Sequence, residues 1–131
     1  MKKLRVGVIG LGMGRSHIAG YQKHAQVEVV ALADKDRGRL EKAGAEVGVK
    51  ALYTSAEAML RKEKLDVVSV ATPNKFHKSL TVAALKAGCH VLCEKPMAMN
   101  AAEGREMLAA ARKAGKRLMI NFSFRFTEQS W

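Results

Sequence analysis

Cysteine, acidic residues and aromatic residues are all scarce in this sequence, and each scarcity removes a class of protein. Two cysteines among 131 residues, Cys89 and Cys93, make no disulfide framework. On one strand their Cα atoms stand about 13 Å apart at roughly 3.3 Å per residue, and a disulfide tolerates at most about 7 Å. They read as core residues of a cytoplasmic protein. Aromatic residues are 5% of the chain, too few for the stacking platform of a single-strand nucleic-acid binder. No run approaches the roughly 18 uninterrupted apolar residues of a membrane span. The opening MKKLRVGVIG reads as a strand and not a signal peptide, because Gly10, Gly12, Gly14 and Arg15 soon break its apolar run. Only 12 acidic residues face 23 basic ones, a net charge of +11. The basic residues are dispersed over Lys2–Arg5, Lys35–Arg39, Arg61–Lys64 and Arg112–Arg117, mostly at helix ends and outer faces. This is a solvated surface that also favours an anionic ligand. Neither nucleic acid nor a membrane is expected as a partner, and no metal site is expected.

What is present is a regular alternation of strand and helix signals in a composition that is 48% hydrophobic and 27% charged, ordinary for one globular domain. Strands are expected at Leu4–Ile9, Val27–Ala33, Ala51–Tyr53, Asp66–Ala71, Cys89–Cys93 and Leu118–Phe122. Helical spacing covers Arg15–Ala25 and Asp36–Val47. A third helix follows the capping box Thr54-Ser55-Ala56-Glu57, a fourth is marked by Phe76, Leu80, Ala83, Ala84 and Ala87, and a fifth runs from the cap Asn100 to Gly115. Several strands are continuous apolar runs, as expected where helices cover both faces of a parallel sheet. The fold class is therefore α/β, a doubly wound parallel Rossmann sheet of six strands in the order 3-2-1-4-5-6. Residues 1–123 would form this domain. Residues 124–131, with Phe124, Phe126 and Trp131, look like a stub leading to an absent carboxyl-terminal domain.

The chemistry-bearing residues lie at the carboxyl ends of these strands, where open α/β sheets bind ligands. Gly10, Leu11, Gly12, Met13, Gly14 and Arg15 form a turn between the first strand and its helix, the place where backbone N–H groups and the helix dipole hold phosphate. The strict G-x-G-x-x-G spacing is absent, because Arg15 stands where the third glycine belongs. Asp34 follows the second strand, 20 residues after Gly14, where a carboxylate accepts hydrogen bonds from ribose hydroxyls. Lys35 and Arg37 could hold a 2′-phosphate, but Asp34 would repel it, so NAD is expected, with NADP possible. Ala71, Thr72, Pro73, Asn74 and His77 follow the fourth strand, and Glu94, Lys95 and Pro96 follow the fifth. By themselves Pro73 and Asn74 also read as a strand stop and a helix cap, His77 as a surface histidine, and Glu94-Lys95-Pro96 as a solvated loop.

The segments VGVIGLGMGRSHI, ALAD, DVVSVATPNKFH, AGCHVLCEKPMA and the RF of NFSFRF stand in one order and spacing over residues 4–126. In this the chain resembles the amino-terminal domain of the Gfo/Idh/MocA oxidoreductases. The resemblance implies that Gly10–Arg15 hold the pyrophosphate and Asp34 the adenosine ribose, and that Thr72, Pro73, Asn74 and His77 line the nicotinamide side. It makes Lys95 the catalytic lysine, with Glu94 beside it and Ser123 near the nicotinamide. The glycine turn is one residue shorter than the commoner GLGxxGRxH form, and Ser123 replaces a common Asn. The resemblance further implies a second domain that carries most substrate contacts and a homo-oligomer interface. The implied reaction is hydride transfer between nicotinamide and a secondary alcohol of a sugar, cyclitol or related polyol, with this chain inactive alone. Two other readings remain open on residues alone: a standalone nucleotide-binding or redox-sensing module, and a nucleic-acid-binding protein on a nucleotide-binding fold.

Overall fold

The structure is a computed structural model in which residues 2–95 and 98–121 are described. Six strands alternate with five helices: β1 (Leu4–Ile9), α1 (Gly14–Gln22), β2 (Val27–Ala33), α2 (Arg37–Val47), β3 (Ala51–Tyr53), α3 (Ala56–Lys62), β4 (Val67–Val70), α4 (His77–Lys86), β5 (His90–Glu94), α5 (Ala101–Ala114) and β6 (Leu118–Asn121). A short 3-10 turn, Asn74–Phe76, leads into α4. The strands pair in parallel in the order β3-β2-β1-β4-β5-β6. The expected fold is the observed one.

Two hydrophobic cores lie on opposite faces of the sheet, sorted by the two-residue period of strand side chains. Val6, Val8 and Leu32 pack with Ile18 of α1 and Leu40 and Ala43 of α2. Ile9, Val68, Val70, Val91 and Cys93 pack with Met59 of α3, Leu80, Ala84 and Leu85 of α4, and Met107 of α5. Buried on both faces, β1 and β4 can be apolar without alternation.

Helix ends follow local chemistry. Asn100 Oδ1 accepts from Glu103 N at 2.9 Å while Glu103 Oε1 accepts from Met99 N at 3.0 Å, a reciprocal cap of the kind the sequence suggests. Asp36 caps α2 through Arg39 N at 3.0 Å. At α3 the cap is Ser55 and not Thr54, its Oγ accepting from Ala58 N. Helix α1 stops at Gln22, short of Ala25, because the chain turns at Lys23 and His24 to enter β2. Phe122, Ser123, Pro96 and residues 124–131 lie outside the described residues.

Candidate functional site

The site is assembled where the sheet's winding reverses, between β2 and β4 on either side of β1. Gly10 N donates to Ala33 O of β2 at 2.9 Å, and Ala71 N donates to Ile9 O at 2.8 Å. The glycine turn is thereby tied to both neighbouring strands. Gly10 has φ +89, and a Cβ there would lie 2.7 Å from the Ala71 carbonyl carbon and oxygen. Only glycine fits this backbone approach. Gly12 is open, with only Arg39 Nη1 at 3.5 Å from a Cβ placed on it. Gly14 backs onto β1, where a Cβ would meet Val8 Cγ1 at 2.8 Å. The three glycines thus serve tight turning, open approach and close helix–strand packing, the three demands of a dinucleotide turn, at a shorter spacing. No side chain caps the start of α1, and Ser16 N already turns back to Met13 O at 3.2 Å, so the N–H groups ahead of Ser16 are the ones an anion would meet.

Asp34 is the organising side chain. Its Oδ2 accepts from Leu11 N and its Oδ1 from Asp36 N, both at 2.8 Å. One carboxylate therefore locks the glycine turn to the loop after β2. A carboxylate offers about four acceptor positions, so capacity for ribose hydroxyls remains after both backbone bonds. Arg39 Nε stands 3.5 Å from Asp34 Oδ2 and its Nη2 stands 3.7 Å from Asp36 Oδ2. Lys35 Nζ sits 4.0 Å from the centroid of the Phe76 ring, joining the loop after β2 to the segment after β4 by a cation–π contact.

These groups line a cleft of about 840 Å³ with Gly10 to Met13, Asp34, Lys35, Ala71 to Asn74 and Phe76 on its walls, within the size range of cofactor sites. The Thr72 hydroxyl is buried without a hydrogen-bond partner among the described residues, a polar atom a bound ligand could satisfy. The glycine approach, the uncapped helix start and Asp34 fit a dinucleotide.

Several expected contributors stand elsewhere. Arg15 pairs with Glu46 at 3.3 Å across to α2. Arg37 pairs with Glu41 along α2, outside the cleft lining; it is the first residue of the helix, and Arg39, two positions on, faces the cleft instead. His77 does not line the cleft. It is fully buried, on the α4 stripe with Leu80, Thr81 and Ala84, and its Nε2 donates to Thr72 O at 2.8 Å. It supports the segment from beneath. Gly14, Glu94 and Lys95 are also off the cleft lining. Lys95 is exposed just past β5, and Glu94 is buried against His17, with Nε2 to Oε1 at 2.5 Å. Arg39 stands out from no motif, and His17 is marked only as the histidine of Gly14-Arg15-Ser16-His17, with nothing to name its partner. The available signals were the helical phase set by the Asp36 cap and a carboxylate at the end of a buried strand.

Burial pushes the Cys93 thiol up to about 11, with Glu94's negative charge adding to it. Burial raises Cys89 as well. Both cysteines are free and buried, which is unlike the exposed, low-pKa thiols of redox sensors.

An open glycine turn at a helix start, a carboxylate one strand away and a cleft at the reversal of strand order define an NAD-binding Rossmann domain. Residues 4–122 match the family model described as "Oxidoreductase family, NAD-binding Rossmann fold". The chain belongs to this Gfo/Idh/MocA oxidoreductase family. It is 42% identical over 125 residues to D-glucoside 3-dehydrogenase of Escherichia coli, covering 94% of this chain and 36% of that protein. It is 39% identical over 127 residues to D-apiose dehydrogenase of Paraburkholderia graminis, covering 96% and 34%. Among solved structures, the WlbA dehydrogenase from Bordetella pertussis in complex with NADH and UDP-GlcNAcA superimposes with a TM-score of 0.93 at 30% identity, covering 98% of this chain and 40% of that one. The chain spans about a third of the length of the curated relatives it matches. No helix among the described residues is long and apolar enough to cross a membrane.

Proposed function

We propose that this chain is the cofactor-binding part of a dehydrogenase acting on a secondary alcohol of a sugar or related polyol. The observation that carries the reading is the Asp34 carboxylate holding the glycine turn and the ribose-side loop together beside an uncapped helix start. The relatives' names, D-glucoside 3-dehydrogenase and D-apiose dehydrogenase, support a carbohydrate substrate. Their greater length supports a second domain that completes the substrate site and a homo-oligomer interface. The two free thiols support a cytoplasmic setting.

The glycine turn and the start of α1 would hold the pyrophosphate, Asp34 the adenosine ribose, and Thr72 to Asn74 the nicotinamide half. When bound, the nicotinamide supplies the hydride acceptor or donor. Lys95 would stand at the reacting hydroxyl. Its ammonium stabilises negative character on the substrate oxygen as the hydride moves, an electrostatic contribution made mainly in the transition state. His77 keeps Thr72 in place by donating to its carbonyl.

The test is Lys95→Ala in the two-domain enzyme. Turnover falls on the order of 10²-fold or more, as for loss of one oxyanion donor, while NAD affinity changes little because the pyrophosphate and ribose contacts lie elsewhere. Lys95→Arg does not restore turnover, since a planar guanidinium cannot replace a compact ammonium. Near-normal turnover in Lys95→Ala makes Lys95 a solvated loop residue and removes it from the site.

A further inference from the structure

The buried pair His17–Glu94 joins two segments that are 77 residues apart in sequence. His17 lies on α1, one turn beyond Gly14, where the phosphate turn becomes helix. Glu94 is the last residue of β5 and is bonded directly to Lys95. Strand alternation sends Val91 and Cys93 into the core beneath α4 and α5, and the next residue, Glu94, therefore turns to the face covered by α1. There His17 Nε2 meets Glu94 Oε1 at 2.5 Å, with both residues buried. One turn further along α1, the Tyr21 hydroxyl meets Ser69 Oγ of β4 at 2.6 Å. Helix α1 is thus hydrogen-bonded to the sheet at positions i and i+4.

The chemistry of the pair is constrained. A carboxylate only accepts, so His17 Nε2 carries the proton. His17 Nδ1 is buried with no partner among the described residues. It is tolerated there as a bare lone pair, whereas an N–H at that atom would be a buried donor with no acceptor, which is costly. His17 is therefore a donor of fixed direction that holds one Glu94 oxygen.

We propose that His17 is a positioning residue: through Glu94 it sets where the backbone leaves β5, and so where Lys95 stands relative to the phosphate turn. The geometry makes the start of α1 a shared mount for both ends of the cofactor site. The consequence for turnover rests on the reading of Lys95 given above; the consequence for Lys95's order does not.

The experiment uses backbone ¹⁵N relaxation of the chain, NAD titration, and turnover of the two-domain enzyme. His17→Asn places its amide near the position of Nδ1, too short to reach Glu94. His17→Gln places a donor near Nε2. His17→Asn lowers the heteronuclear NOE at Lys95 from the level of β5 to that of an exposed loop, and His17→Gln restores it. Turnover falls roughly 10- to 10²-fold in His17→Asn, the scale of a small misplacement at a reacting group. NAD affinity changes less than threefold, and His17→Gln recovers most of the loss. Tyr21→Phe removes the neighbouring anchor and leaves Lys95 order unchanged, which separates positioning from general loosening of α1. If His17→Asn does not fold, Glu94→Ala carries the same expectation at Lys95. Unchanged Lys95 order in His17→Asn, or equal loss in His17→Gln, overturns the proposal. Loss of order without loss of turnover instead overturns the role of Lys95 and leaves the positioning intact.

Discussion

Replacing Asp34 by alanine should damage both the fold and the cofactor preference, in amounts that can be estimated. The carboxylate accepts two backbone N–H groups, from Leu11 and Asp36, each at 2.8 Å. Hydrogen bonds to a charged group contribute roughly 1.5–3 kcal/mol each, so losing two at the lower end costs about 3 kcal/mol of stability. Asp34→Asn keeps one acceptor oxygen and should lose about half as much. Asp36 still caps α2 through Arg39 N, which confines the damage to the turn. NAD affinity should fall roughly 10- to 10²-fold as the ribose hydroxyls lose their acceptor. NADP should lose less, because a repelling carboxylate disappears and Arg39, 3.5 Å from it, is released. The preference narrows or inverts, and adding Arg39→Ala abolishes the gain. Lys35 rests on Phe76 and Arg37 on Glu41, so their alanine variants leave the ratio nearly unchanged. Urea unfolding and calorimetric titration with both cofactors measure these effects. Wild-type stability in Asp34→Ala, or a wild-type chain that binds NADP tenfold more tightly than NAD, about 1.4 kcal/mol, would refute the reasoning.

Gly10→Ala should cost about 2–4 kcal/mol in urea unfolding and abolish NAD binding, since positive φ and a backbone overlap act together. Gly104→Ala, with nothing within 4 Å of its new methyl, should stabilise α5 by about 0.5–1 kcal/mol. Cys93 has a folded-state pKa raised from 9.0 to about 11. The unfolded thiol therefore loses its proton first, and stability should fall as pH rises from about 9 to 11, with Cys93→Ala flattening that decline. A denaturation midpoint that stays constant or rises through that window in the wild-type chain would contradict the assignment.

Most of the architecture was legible because the signals were local. Apolar runs separated by helix caps at Asp36 and Asn100 and stops at Gly48 and Gly115 place each element within a few residues. The strand order then follows from crossover handedness. Asp34 was legible as a cleft residue from its place after β2, but its hold on Leu11 N was not, because that bond spans 23 residues and depends on the turn's shape. Arg37 and Arg39 differ only in helical phase, which the cap residue sets. His77 could have been placed correctly, since it shares its stripe with Leu80, Thr81 and Ala84. His17 was legible as the histidine of Gly14-Arg15-Ser16-His17, but its pairing was not, because its partner lies across the sheet on another strand. The short glycine turn looked like a defect on spacing alone. The contact of Gly14 with Val8 makes it a complete turn in fewer residues.

The most direct test is an NMR titration of the ¹⁵N-labelled chain with NAD. Saturable binding at millimolar affinity or tighter should move the amides of Gly10 to Met13, Asp34 to Asp36 and Thr72 to Asn74 together on one binding curve, while the opposite sheet edge around Lys3 and Lys64 stays still. Absence of saturation at several millimolar, or shifts confined to the basic residues of the opposite edge, would contradict cofactor binding at this turn.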